Sequence, residues 1–250
     1  MFDTIYLVSP KLITGTSQDI IQLEDVMGFE LPDSYHIYST TLGRGWLCDT
    51  IWMFEPAFIQ SEYQTIRNRW AALTQLPTNI TQEQLQMSIP IAKTDEGDQF
   101  IYNPLSPERI FILPGHNNIV YWTSSTFQSL LQWESAQGVV QKTPTFLYFE
   151  PDREDRWQKL GTLESMHIFM EELIHLIQKR LALPIAHRLD EQTDVSQTTI
   201  LFYPSIGGRL ELTHDYSDED TVYIMINYDS EYEKIIQSLV AILQEYGFDE

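Results

Sequence analysis

Apolar residues recur along this chain with two periods, and the switches between them mark its elements. In SQDIIQLEDVMGF, Ile20, Leu23 and Met27 fall at i, i+3 and i+7, the stripe of an amphipathic helix. Ser17 stands at the N-cap position, and Gly28 supplies a left-handed end against which Phe29 folds back. LPDSYHIYSTTLG predicts a second helix with Pro32 at its first position, Tyr35, Tyr38 and Leu42 on one face, and Gly43 as its stop. GWLCDTIWMFEP is rich in β-prone residues and predicts one strand. PAFIQSEYQTIRNRWAALTQLP predicts a long helix with Ile59, Tyr63, Ile66, Trp70 and Leu73 on its stripe.

The pattern then becomes short and extended. IPIAK and QFIYN are two strands joined by TDEGD; RIFIL and NIVYW are two more joined by PGHN. A short helix, FQSLLQWESA, follows, with Thr126 as its cap and Phe127, Leu130 and Leu131 inward. Further on come a strand, PTFLYFEP, and a long helix, TLESMHIFMEELIHLIQKRLALP, capped by Thr162 and stopped before Pro184. HRLDEQTDVSQ has no period and predicts a mobile loop. TTILFYP, RLELTH and TVYIMINY predict strands. SEYEKIIQSLVAILQEYGF predicts a last helix, with Ser230 and Glu233 in capping-box spacing and Gly247 at its end.

Runs of strands joined by tight hairpins, with helices before and after, predict an α+β fold: a mostly antiparallel sheet flanked by helices. A β-α-β-β-β-α region packed on it accounts for the rest. The boundary falls near residues 138–144, giving a first domain over 1–140 and a second over 141–250. Nothing there is long or Gly/Ser-rich enough for a free linker.

Charge changes this picture more than composition does. The 250 residues are 43% hydrophobic and 12% aromatic, ordinary for a globular chain, yet the net charge is −21. Up to Val140 there are 6 basic and 15 acidic residues, and beyond it 9 and 21, so the acidity is no tail. Such a surface repels nucleic acid and anionic membranes and attracts basic proteins, besides keeping the chain soluble. The one cysteine, Cys48, allows no internal disulfide and favours a cytoplasmic setting. The start MFDTIYLVSPKL lacks the basic and apolar regions of a signal peptide, and no apolar run reaches the roughly 20 residues that span a bilayer.

Motifs that carry chemistry are thin. There is no GxxxxGK[ST], GxGxxG, GxSxG or HExxH. The LGRG stretch ends a helix, so Arg44 sits exposed between glycines without the helix N-terminus that binds anions. Cys48 reads as a structural thiol in mid-strand. His167, Glu171 and His175 share one helix side at i, i+4, i+8, with Glu164 and Glu172 each three residues before a histidine. That pattern touches di-iron spacing, but no second helix carries a matching pair, and a solvated face of Glu–His pairs explains it better. DYSDED spaces its carboxylates unlike a calcium-binding loop, and TDEGD follows from turn chemistry. No cofactor is expected.

The ordered set of Phe29-Glu30-Leu31-Pro32-x-x-Tyr35, Leu42-Gly43-x-Gly45, Asp95-x-Gly97-Asp98, Val120-Tyr121-Trp122 and Ser125-x-Phe127-x-x-Leu130-Leu131 resembles the SUKH superfamily. That family includes fungal cell-wall-synthesis regulators and bacterial toxin-immunity proteins. The resemblance covers about residues 10–137. It implies a cytoplasmic protein-binding module without catalysis, most simply an immunity protein that neutralises a cognate basic toxin such as a nuclease. A regulatory scaffold of the fungal type is the alternative, and a metal-dependent enzyme using His167, Glu171 and His175 is a minor one. The residues expected to meet a basic partner are Asp95, Glu96 and Asp98 on one hairpin, and Asp215, Asp218, Glu219 and Asp220 on another. Leu31, Pro32, Gly43, Gly45, Gly97 and Asp98 read as fold-forming.

Overall fold

A computed structural model describes residues 4–71, 80–115, 119–124, 146–153, 155–161, 170–216 and 221–248. The fold is α+β with mostly antiparallel sheets. The chain divides into two compact units, Met1–Leu7 with Lys11–Asp152, and Val8–Pro10 with Arg153–Glu250. The expected helix at 127–136 with its cap Thr126, the 138–144 boundary and the Thr162 cap lie outside the described residues.

The first unit begins with β1 (Tyr6–Leu7) and the helices α1 (Ser17–Met27) and α2 (Asp33–Thr41). Thr16, not Ser17, caps α1: its hydroxyl accepts from Asp19 N while the Asp19 carboxylate accepts from Thr16 N. The sequence offers two adjacent hydroxyls, and only Thr16 has an acid three residues on to complete the reciprocal pair. Gly28 ends α1 in the left-handed region as expected. Pro32 is the N-cap of α2 rather than its first residue, and its carbonyl accepts from Tyr35 and His36. Tyr35, Tyr38 and Leu42 are all buried.

The expected single strand over 45–56 is instead a hairpin, β2 (Gly45–Leu47) and β3 (Ile51–Met53). Cys48 and Asp49 turn the chain, both with positive φ, 51° and 55°. The long helix follows as α3 (Pro56–Ala71), then α4 (Gln82–Met87), which hydrophobic period alone did not reveal because it has one buried residue, Leu85. Four strands complete the predicted run: β4 (Ile89–Thr94), β5 (Gln99–Tyr102), β6 (Arg109–Leu113) and β7 (Tyr121–Ser124). The strand β8 (Tyr148–Pro151), expected in the second region, lies between β1 and β2 in the first. The sheet order is β1-β8-β2-β3-β4-β5-β6-β7, with only β1–β8 parallel.

The second unit holds an antiparallel sheet, β10-β11-β12-β13-β9, with two α-helices among the described residues. Its strands are β9 (Asp155–Gly161), β10 (His187–Gln192), β11 (Ser196–Tyr203), β12 (Gly208–Asp215) and β13 (Thr221–Asp229); its helices are α5 (Met170–Leu181) and α6 (Glu233–Glu245). HRLDEQTDVSQ is therefore no loop. It forms β10, a tight turn and the start of β11, paired residue by residue from His187↔Phe202 to Gln192↔Gln197. The Ser230–Glu233 capping box does not form either: Ser230–Tyr232 is a 3-10 turn, and α6 starts at Glu233 without a side-chain cap. Leu173 and Ile177 of α5 and Ile236, Leu239, Val240 and Leu243 of α6 bury against Leu201, Leu210, Leu212, Ile224 and Ile226 of the sheet. Each such side chain contributes about 1.5–3 kcal/mol of apolar burial, enough in sum to hold both helices on the sheet. No helix among the described residues is long and apolar enough to cross a membrane.

Candidate interaction surface

The pairing of the first sheet brings several turns to one end. Leu47 pairs with Ile51, Ile51 with Thr94, and Gln99 with Leu113. The β2–β3 turn, the β4–β5 turn and the start of the β6–β7 connection therefore lie side by side. Strand β8 also starts there, because Leu47 pairs with Phe149.

Among the described residues, the carboxylates at this end include Asp49, Asp95, Glu96 and Asp98, and the first three are at least partly exposed. Asp95 and Glu96 are exposed on the β4–β5 turn. Asp95 Oδ1 accepts from Glu96 N at 3.0 Å, which keeps that carboxylate local to the turn. Asp49, half-buried, sits on the neighbouring turn, where Tyr148 Oη donates to its Oδ2 at 2.9 Å. Residues in the left-handed region are costly for non-glycines, so Asp49 is held in a conformation that its own backbone disfavours. Lys93, exposed just before the β4–β5 turn, is the cation nearest to it in sequence.

Asp98 is a correction. It is only 9% exposed, and its Oδ1 accepts from Gly115 N at 2.7 Å. Its backbone N–H donates to Thr94 Oγ1 at 3.0 Å and its carbonyl accepts from Thr94 N at 2.8 Å. Asp98 ties the turn to the next connection and presents no carboxylate to a partner, which agrees with its reading as fold-forming. Asp49 falls in CDTI, which the β-prone composition of GWLCDTIWMFEP predicts as strand interior. The Asp-Thr pair between two apolar triplets was the available turn signal.

Of the second predicted loop, Asp215 ends β12, half-buried and paired with Ser196 and Thr221 across the ladder. Asp218, Glu219 and Asp220 lie outside the described residues.

Arg44 is not the exposed side chain that LGRG suggested. Its side chain is 24% exposed; Nε lies 2.6 Å from Asp152 Oδ2 and Nη1 3.5 Å from Glu55 Oε1. Its guanidinium stands 5.5 Å from the Phe58 ring centre. The flanking Gly43, at φ 75°, brings the backbone against the Ile13 carbonyl, which a Cβ would meet at 2.0 Å. The neighbouring N–H of Arg44 donates to that same carbonyl. Burial raises the Glu55 carboxyl above its usual range despite Arg44. The stretch is a structural joint.

Burial pushes the Cys48 thiol up to about 11, so the reactive thiolate is scarce at neutral pH. Glu171 is committed to Arg188, with Oε1 2.6 Å from Nη2. His175 is exposed on α5, and His167 lies outside the described residues. No group of three or more His, Cys, Asp or Glu among the described residues is placed to hold a metal ion. The chain matches no family model, no curated protein and no solved structure.

Proposed function

We propose that this chain is a non-catalytic protein-binding module of the SUKH type, most simply a cytoplasmic immunity protein that neutralises a basic toxin domain such as a nuclease. The observation that carries this reading is the placing of Asp49, Asp95 and Glu96 on adjacent turns at one end of the first sheet. A rigid sheet holds the turns, so the carboxylates meet a partner with little ordering cost. The net charge of −21 extends the same field over the surface and steers a basic partner toward it. The ordered residue pattern from Phe29 to Leu131 is what the resemblance to the family rests on.

The test is binding to the product of an adjacent toxin-like gene, measured across a salt series. Electrostatic steering makes the association rate fall about tenfold or more as exposed charges become screened between low and moderate salt. Association that ignores salt sinks the reading.

A further inference from the structure

The second unit is discontinuous in sequence, joining Val8–Pro10 to Arg153–Glu250. Val8 and Ser9 are fully buried. Ser9 sits on the carboxylate of Asp229, 220 residues away at the end of β13: its Oγ donates to Oδ2 at 3.1 Å. On the other side, Asp229 Oδ1 accepts from Arg153 Nε at 2.5 Å, and this ion pair is almost closed to water, 3% and 2% exposed. Arg153 Nη2 donates both to the Gly207 carbonyl and to Asn227 Oδ1, at 2.7 Å each. Gly207 makes room for the carboxylate. Its φ is 57°, and a Cβ there would stand 2.1 Å from Asp229 Oδ2.

A buried ion pair is held only while its remaining lone pairs find donors, because an unmet carboxylate oxygen keeps its full desolvation cost. Ser9 is such a donor, and it comes from a three-residue segment with no strand or helix of its own. The segment follows β1, whose Leu7 pairs with Phe149, while β12 pairs with β13 only from Arg209↔Asn227 to Asp215↔Thr221, so Tyr228 and Asp229 at the end of β13 are paired on the β9 side.

We propose that Val8–Pro10 is a strap that closes the second unit, with Asp229–Arg153 as its latch. Release of the strap opens the end of β13 and the turn at Gly207 as one local unit, while the rest of the sheet stays formed.

Amide hydrogen exchange of the full chain tests this, comparing the parent with Ser9→Ala and Ser9→Asp. Ser9→Ala removes the hydrogen bond and keeps the volume; Ser9→Asp places a second carboxylate against Asp229. The expected result is exchange about tenfold faster in Ser9→Ala at residues 207–209 and 227–230, and faster still in Ser9→Asp, with 210–212 and 222–225 unchanged. Unchanged exchange at 227–230, or equal acceleration along all of β12 and β13, overturns the strap. Should Ser9→Asp fail to fold, Ser9→Ala decides alone.

Discussion

Single residues in this chain hold conformations or charges that elementary chemistry disfavours, and two of them give direct tests. Ala182 ends α5 at φ 51°, with its N–H on the Gln178 carbonyl, the place where helices usually put glycine. Its side chain is exposed, so replacing it loses no packing. Ala182→Gly is expected to raise stability by about 1 kcal/mol, read as a shift in denaturant midpoint at unchanged slope. Glu55 is the second. Burial outweighs the attraction of Arg44 and raises its carboxyl above the ordinary range. The folded chain therefore binds this proton more tightly than the unfolded one, and stability falls as pH rises from about 4.5 through the raised value. Glu55→Gln removes that slope. Denaturation from pH 4 to pH 7 should show a flatter profile in the variant, with its gain over the parent largest at about pH 7; a parallel profile would show that Glu55 is not burdened by burial.

At the scale of elements, what the pattern revealed and what it hid follow from how much each element buries. The helices α1, α2, α3 and α5 and the strands β4, β5 and β6 carry repeated Ile, Leu, Phe and Tyr that face a core, and their period is legible. The hairpin β2–β3 was not, because three-residue strands are too short to show alternation around a turn of Cys48 and Asp49. Strand β10 reads HRLDEQ because it is the sheet's last strand, with no residue more than half-buried toward a core. Of the candidate surface, Asp95 and Glu96 were legible from turn chemistry, while the inward role of Asp98 depends on Gly115, 17 residues on. Caps are the finest case. Thr16→Ala is expected to cost about 1 kcal/mol by removing the hydroxyl that accepts from Asp19 N and donates to Asp19 Oδ2, whereas Ser17→Ala should stay within about 0.5 kcal/mol. Thermal melts of the two variants separate these caps, and equal losses would contradict the assignment.

At the scale of the whole molecule the open question is whether the acidity has an address. A net charge of −21 keeps any chain dispersed, and dispersal depends on the total rather than on position. Recognition depends on position, because steering is strongest where like charges gather and screening cuts off within about 8–10 Å in ordinary salt. Asp95→Lys with Glu96→Lys and Glu191→Lys with Asp194→Lys alter the net charge equally, from exposed sites in the first and second units. The sheet-end pair should slow association with the proposed basic partner about tenfold at low salt, and the gap to the parent should close as salt rises. The pair in the second unit should leave the rate within about twofold, since the carboxylates proposed to make the contact all belong to the first unit. Stopped-flow association at several salt concentrations reads both. Equal slowing by the two pairs would assign the acidity to the molecule's overall field, and greater slowing by Glu191 and Asp194 would move the contact to the second unit.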